Sequence, residues 1–291
     1  MIDGLQRAFG VTERVGFEQD QDGQCVCVMH APGSTARVAL RGAHVQSWKC
    51  ADQPNDMFWM SSQRPVDPEK PRRGGIPICW PWFGANADDA RLPAHGIARS
   101  SDFEVVATHA DDARTTAVFR LKDRSKLPVM FEGCELVVEI ELGRTLRVAL
   151  VTTNSGFDTV HLTQALHTYF RISDIADVSI AGLDTSPYAD ALDGFSMKRQ
   201  AGPVRFHSEV DRIYSVRGGL ELMLQDGVWK RGVEIATEGS RSAVVWNPWI
   251  EKSKRLGDMG PDGYRQMVCI ETANAGSDVV RVEPGNVHRL S

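Results

Sequence analysis

Apolar and polar residues alternate with a period of two through most of this sequence, and this pattern constrains the fold more than any other feature. Runs such as CVCVMHA, DFEVVATHA, TTAVFRLKD and SAVVWN are short and are separated by turns that contain glycine or aspartate. Such runs are typical of β-strands that bury one face. CELVVEIEL and LRVALVTTN, joined through Gly143 and Arg144, predict a β-hairpin. We therefore expect an all-β sandwich or barrel.

The same pattern predicts a single large domain over residues 1–291. ARVALRGAHVQSW and VHLTQALHTYFRI each read as one continuing strand, and helical turns are expected only near DGLQRAF and in loops. No internal repeat and no low-complexity linker divides the chain.

Charge and cysteine content exclude several classes of protein. The chain has 33 Lys+Arg and 38 Asp+Glu, a net charge of −5, which disfavours a nucleic-acid partner. No apolar run is long enough to span a membrane, and the charged N-terminus lacks the apolar core of a signal peptide. Of the six cysteines only Cys25 and Cys27 lie close together, so no zinc site is expected. Most of the six lie in apolar runs, where a free cysteine behaves as a small apolar side chain, so a reducing compartment, the cytoplasm, is expected.

Two long segments interrupt the strands, and loops of this length are usually functional. Residues 62–99 contain the aromatic group Trp80, Trp82 and Phe83, which predicts an ordered, packed loop. Residues 246–264, WNPWIEKSKRLGDMGPDGY, are read as two tryptophans around Asn-Pro followed by a charged loop. Trp80, Trp82 and Trp246 could wall a pocket, although plain core packing is the better interpretation for at least two of them.

The sequence lacks the glycine-rich phosphate loops and the H-E-x-x-H motif, so cofactor-free acid–base chemistry is the default enzymatic option. Glu271 shares a strand face with Met267 and Cys269, where burial would raise its pKa and suit a general base. A salt bridge to a loop arginine explains a carboxylate at this buried position equally well. On the residues alone, His167 fits an exposed strand face or a structural histidine better than a catalytic role.

Arginines near a Gly-Gly turn provide a candidate anion site. Arg72 and Arg73 precede Gly-Gly-Ile-Pro, and Arg99 follows His95 in the same long loop. Guanidinium groups match phosphate geometry, although paired arginines are common on any surface.

Six segments in this order resemble the hexose-6-phosphate mutarotases, the glucose-6-phosphate 1-epimerases of the aldose 1-epimerase group. They are RRGGIPICWPWFG, LPAHGIARSSDFEV, ALHTYFRI, VDRIY, VWNPWIEKSKRLGDMG and MVCIETAN. The resemblance runs from about residue 36 to the C-terminus. It implies a large antiparallel β-sandwich of the galactose-mutarotase type and interconversion of the α and β anomers of hexose 6-phosphates without a cofactor or metal.

The resemblance also implies roles for individual residues. His167 matches the general acid and Glu271 the general base, while the substrate-binding positions match Arg73 and Arg99 for the phosphate and Asp211 and His95 for the sugar. Relatives often have glutamine where this chain has Ala94.

Two alternatives remain open. One is a mutarotase for unphosphorylated aldoses, which Arg73 and Arg99 argue against and Ala94 slightly favours. The other is a catalytically silent sugar-binding sandwich, for which His167 or Glu271 should be lost. No apolar stripe demands a partner chain, so a monomer is expected.

Overall fold

The computed structural model describes residues 1–65 and 70–291. This part of the chain contains the helices α1 (Ile2–Phe9) and α2 (Trp249–Leu256) and 3₁₀ helices at Ala98–Ser100, Val129–Phe131, Ile175–Asp177, Ala191–Asp193 and Gly263–Gln266. Its strands are β1 (Val15–Gln19), β2 (Cys25–Ala31), β3 (Ser34–Ala39), β4 (His44–Cys50), β5 (Ile78–Cys79), β6 (Phe103–Ala110), β7 (Thr115–Leu121), β8 (Cys134–Leu142), β9 (Leu146–Asn154), β10 (Val160–Leu162), β11 (Gln164–Leu166), β12 (Tyr169–Arg171), β13 (Val178–Ala181), β14 (Pro187–Asp190), β15 (Ser196–Arg199), β16 (Val210–Ser215), β17 (Glu221–Asp226), β18 (Arg231–Ala236), β19 (Ser242–Asn247), β20 (Met267–Asn274), β21 (Val280–Val282) and β22 (Val287–Leu290).

The strands form antiparallel sheets, as the alternation predicts. One sheet of eight strands has the order β15-β14-β16-β19-β20-β11-β5, with β12 also pairing with β20. A five-stranded sheet has the order β22-β9-β8-β7-β6, a four-stranded sheet contains β1 to β4, and β13, β17 and β18 form a three-stranded sheet. The hairpin β8–β9 closes across Leu142 and Leu146, which confirms the predicted hairpin. No helix in the described residues is long and apolar enough to cross a membrane.

The eight-stranded sheet separates two apolar clusters. On β20 the side chains of Val268 and Ile270 belong to the larger core, whereas Met267 and Cys269 belong to a second, smaller cluster. Successive side chains of a strand point to opposite faces, so both faces of this sheet are buried. All eight residues of β20 are buried as a result.

Two predicted strands are wrong in extent. ARVALRGAHVQSW forms the hairpin β3–β4 instead of one strand, because Gly42 (φ +78°) and Ala43 (φ +43°) take left-handed backbone conformations that turn the chain. VHLTQALHTYFRI is divided into β10, which pairs with β21, and β11 and β12, which both pair with β20.

The two long segments are both ordered where the structure describes them, and residues 66–69 of the first lie outside the described part. Trp80 donates its indole N–H to Thr152 (3.0 Å) and Trp82 donates to the Pro93 carbonyl (3.0 Å), and both rings belong to the larger core. This confirms the interpretation of two tryptophans as core residues. The second segment was predicted as a loop but contains α2.

Candidate active site

A row of four residues crosses the smaller apolar cluster. Tyr169 on β12 lies opposite Cys269 on β20, which lies opposite Trp246 on β19, which in turn lies opposite Asp211 on β16. Directly paired residues project to the same face of a sheet, and so does a residue two positions along. Glu271 therefore shares this face with the row.

His167 comes next to Glu271 on that face. It lies in the break between β11 and β12, where its backbone N–H donates to the Pro77 carbonyl (3.0 Å). Its Nδ1 is 3.3 Å from Glu271 Oε1, and the two residues are 9% and 1% exposed. Within the described residues neither His167 Nδ1 nor Glu271 Oε2 has a hydrogen-bond partner. The exposed or satisfied histidine that the residues alone favour is therefore wrong, and Glu271 pairs with a histidine instead of a loop arginine.

Burial shifts the pKa values of both members of this pair in the direction that favours their uncharged forms. Desolvation, reinforced by repulsion from Asp211 and opposed by Arg99, raises the pKa of Glu271 well above its usual value. Desolvation, reinforced by His95, Arg99 and Arg73, lowers the pKa of His167 well below its usual value. Both shifts favour the uncharged forms, protonated Glu271 and neutral His167, which together hold one proton.

Aromatic side chains enclose the pair. The His167 ring stacks on Tyr169 (4.9 Å between centroids, 7° between planes) and meets the edges of Trp246 (6.0 Å) and His95 (5.8 Å). His95 has a left-handed backbone (φ +66°) and its ring packs edge-on against Phe83 (4.9 Å). Burial, with Arg99 and Arg73, lowers the pKa of His95 to about 4, so this imidazole is neutral near pH 7.

Arg73 is held rigidly at one edge of the site. Its Nε donates to Asp258 Oδ1 (2.8 Å) and its Nη1 donates to Tyr169 Oη (3.1 Å). The following Gly74 (φ +116°) packs so closely that a side chain there would overlap the Trp59 carbonyl oxygen. This close approach explains the glycine that directly follows Arg73.

Arg99 is held more loosely. Its Nη2 donates to the backbone carbonyl of Ala94 (2.7 Å), so position 94 contributes through its backbone. Arg99 also borders a small polar recess whose lining includes the cationic side chains of Arg41, Lys70 and Arg72. The positive charge of this recess suits an anion.

Asp211 lies at the opposite edge, beside a lysine that the sequence reasoning missed. Lys252 Nζ lies 3.3 Å from Asp211 Oδ2 and 3.0 Å from Glu209 Oε1, and 5.8 Å from the centre of the Trp246 ring. Burial raises the pKa of Asp211, an effect that Lys252 opposes and Glu209 reinforces.

The sequence model of the aldose 1-epimerase family matches residues 24–291. This chain belongs to that family. An epimerase of this family is an isomerase, which confirms the predicted class of enzyme.

Relatives agree with this assignment. A protein of Escherichia coli strain K12, provisionally named a glucose-6-phosphate 1-epimerase, is 33% identical over 249 residues, which cover 85% of this chain and 82% of that protein. The crystal structure of a Salmonella typhimurium protein provisionally described as a mutarotase superposes with a TM-score of 0.87 at 28% identity, covering 97% and 93% of the two chains. A galactose mutarotase related enzyme from Lactobacillus acidophilus has a TM-score of 0.70 at 17% identity over 91% and 94% of the chains, which bears on the fold alone. The predicted galactose-mutarotase type of fold is confirmed.

This epimerase site also contains a set of donor atoms that a metal ion could use. The ligand atoms of His167, Cys269 and Glu271 lie within 4.8 Å of one another, and nitrogen, sulfur and oxygen are ligand types that zinc accepts. A bound cation would occupy the lone pairs that acid–base chemistry needs, so proton transfer and metal binding exclude each other here.

A separate apolar cavity of about 500 Å³ lies on the other face of the epimerase sheet. Leu166, Thr168 and Thr272, the sequence neighbours of the acid–base pair, line it. Side chains of adjacent strand residues point to opposite faces, so this cavity does not communicate directly with His167 or Glu271.

Proposed function

We propose that this protein interconverts the α and β anomers of hexose 6-phosphates, as a glucose-6-phosphate 1-epimerase, by cofactor-free acid–base catalysis. The observation that carries the proposal is the buried contact between His167 Nδ1 and Glu271 Oε1, 3.3 Å apart, on a face bordered by arginines. The E. coli relative's name supports the phosphorylated substrate.

In the forward half of the reaction, we infer that the Glu271 carboxylate removes the proton of the sugar O1 hydroxyl while protonated His167 donates a proton to O5. The C1–O5 bond breaks, C1 and O1 form the aldehyde carbonyl, and O5 becomes a hydroxyl. After rotation about C1–C2, neutral His167 takes the O5 proton, O5 attacks the other face of the carbonyl, and Glu271 returns a proton to O1. Both side chains end as they began.

The adjacency of the two groups fits this chemistry. O1 and O5 are both bonded to C1, so an acid and a base in contact can address both atoms from one side. The chemistry does not require a carboxylate and an imidazole on opposite sides of the ring. Burial favours protonated Glu271 with neutral His167, so the reactive form, Glu271 carboxylate with protonated His167, arises when the one proton of the pair moves from Glu271 to His167.

We assign the 6-phosphate to Arg99 and Arg73, and the sugar hydroxyls to Asp211 and His95. A phosphate is close to a dianion at neutral pH, and its binding energy can hold the reacting end in register. Arg99 borders the cationic recess, whereas Arg73 already forms an ion pair with Asp258.

The alternatives make different demands on the site. A mutarotase for unphosphorylated aldoses has no use for Arg99 beside a cationic recess, although Ala94 still favours it slightly. A silent sugar-binding sandwich has no use for a buried, unsatisfied acid–base pair, because such groups are costly unless they are functional.

The test is anomer exchange followed by NMR magnetisation transfer, with glucose 6-phosphate and glucose in parallel. Accelerated exchange of glucose 6-phosphate alone supports the proposal. Acceleration of glucose alone would remove the phosphate assignment, and binding without acceleration of either sugar would support the silent sandwich. Chelators should leave the rate unchanged, since no step uses a metal.

Two further proposals concern the setting of the enzyme. The six cysteines are all unpaired, which favours a reducing compartment, and we propose the cytoplasm. We also propose a monomer, which light scattering after size-exclusion chromatography tests.

A further inference from the structure

The segment 248–266 leaves the sheet after β19 and returns to it at β20, and both of its ends are fixed by one residue. Asn247 is fully buried, its Oδ1 accepts from the Trp249 N–H (2.9 Å), and its Nδ2 donates to the carbonyls of Tyr264 (2.8 Å) and Met267 (2.9 Å). The segment is thus held in one place over the smaller apolar cluster, where Met259 is 1% exposed.

This segment brings one positive side chain to Asp211. Lys252, on α2, bridges Glu209 (3.0 Å) and Asp211 (3.3 Å) and lies over the Trp246 ring. Its side chain is 30% exposed, and those of Glu209 and Asp211 are 22% and 27% exposed. A half-buried lysine between two carboxylates fixes their geometry as well as their charge.

The same segment brings one negative side chain to Arg73. Asp258 accepts from Arg73 Nε at 2.8 Å, and their side chains are 18% and 21% exposed. The Asp258 backbone carbonyl also accepts from the Ser61 hydroxyl (2.5 Å), which ties this position to the strand-like segment before Arg73. The segment 248–266 therefore supplies an ion-pair partner to each of two oppositely charged site residues, Asp211 and Arg73.

We propose that Lys252 and Asp258 are positioning residues for the epimerisation, which hold Asp211 and Arg73 in the geometry that binds the sugar phosphate. The proposal rests on the proposed function. Lys252 keeps Asp211 ionised and in one rotamer, and Asp258 aims the remaining N–H groups of Arg73 into the site. Neither residue touches the reacting atoms.

The charges around Asp211 determine what loss of Lys252 does. Glu209 and Asp190 repel Asp211, Lys252 attracts it, and Asp211 in turn raises the pKa of Glu271 across the sheet. Without Lys252, burial and the two carboxylates raise the pKa of Asp211 further. Asp211 then takes up a proton at a higher pH, and the neutral carboxyl group is a weaker hydrogen-bond acceptor for a sugar hydroxyl than the carboxylate is.

The first test is Lys252→Met, with Lys252→Arg as rescue and Lys254→Met as control. Lys254 lies on the same helix but its side chain is 64% exposed and pairs only with Glu251 among the described residues. We expect Lys252→Met to raise KM for glucose 6-phosphate about tenfold or more with kcat little changed. The acidic limb of kcat/KM should move to higher pH, and Lys252→Arg should restore both properties. A Lys252→Met enzyme that matches the Lys254→Met control in KM and in pH profile would overturn the proposal.

The second test is Asp258→Asn, which keeps shape and removes charge, with Glu251→Gln as the exposed control. We expect a raised KM for glucose 6-phosphate and an unchanged thermal unfolding midpoint, whereas an unchanged or lowered KM contradicts positioning. A wild-type protein that accelerates neither sugar refutes the proposed function instead. Calorimetric titration with glucose 6-phosphate then still tests positioning, because weaker binding by Lys252→Met and Asp258→Asn supports it and equal binding overturns it.

Discussion

At the scale of single residues, the two arginines of the phosphate assignment differ in the charge they can offer. Arg73 bonds Asp258 and the Tyr169 hydroxyl, so an ion pair already balances its charge. Arg99 bonds only the neutral carbonyl of Ala94 among the contacts of the described residues. A dianion therefore gains more from Arg99 than from Arg73.

We predict that Arg99→Gln raises KM for glucose 6-phosphate by about ten- to a hundredfold, as loss of a hydrogen bond to a charged group implies. Arg73→Gln should raise KM less, and Arg91→Gln, an exposed change in the same loop, should have no effect. Steady-state kinetics with both sugars check this. Equal losses on glucose and glucose 6-phosphate with Arg99→Gln would contradict a phosphate contact.

The sequence pointed to Glu271 from its own strand, because a carboxylate among Met267 and Cys269 is unusual. It could not point to His167 in the same way. The alternation around His167 suggested an exposed face. Alternation shows which face of a sheet a residue lies on, but it does not show whether other parts of the chain cover that face. His167 and Glu271 are about a hundred residues apart, and only the resemblance to a family paired them before the structure did. Their individual roles remain a proposal.

At the scale of elements, Asn247 organises the site from a distance. It is the last residue of β19, and its side chain holds both ends of the segment that carries Lys252 and Asp258. The sequence flagged this segment by its tryptophans and charges but missed α2. A helix of eight residues has too few turns for its period to emerge, and its buried positions are few.

We predict that Asn247→Ala lowers the free energy of unfolding by about 2–4 kcal/mol, because it leaves buried carbonyls and one N–H without partners. It should also raise KM for glucose 6-phosphate, since Lys252 and Asp258 lose their anchor. Denaturant titration and kinetics measure the two effects. A destabilised variant with unchanged KM would separate the segment's structural role from substrate binding.

At the scale of the whole molecule, alternation and turn residues predicted the all-β class, and the resemblance predicted the mutarotase fold. The strand order of the eight-stranded sheet could not be predicted from the sequence. Period-two patterns assign faces, but the neighbours of β20, which come from β11, β12 and β19, are chosen by tertiary packing. That residues 1–291 form one domain stays a prediction, for which one cooperative unfolding transition is the test.

Stability should depend on pH through His44. This residue is buried on β4 with its Nε2 bonded to the Gly74 carbonyl (2.7 Å), and burial, opposed by that bond and reinforced by Arg72, lowers its pKa to about 4. The unfolded chain takes up a proton near pH 6.5, whereas the folded chain does so only near pH 4. His44 therefore stabilises the fold fully above pH 6.5, and up to about 3 kcal/mol is lost as the pH falls toward 4.

We predict that His44→Gln flattens the decline in unfolding free energy between pH 7 and 4.5, while the exposed His30→Gln leaves the slope unchanged. Urea denaturation at several pH values measures the slope. An identical slope in the wild type and in His44→Gln would show that His44 is not held neutral.

The most direct test of the account is anomer exchange of glucose 6-phosphate by Glu271→Gln and His167→Gln enzymes, with His161→Gln as the exposed control. We predict that each of the first two variants loses about 10²- to 10⁴-fold in exchange rate while it still binds glucose 6-phosphate, and that the control keeps the wild-type rate. Exchange at the wild-type rate in either Glu271→Gln or His167→Gln would contradict acid–base catalysis by this pair.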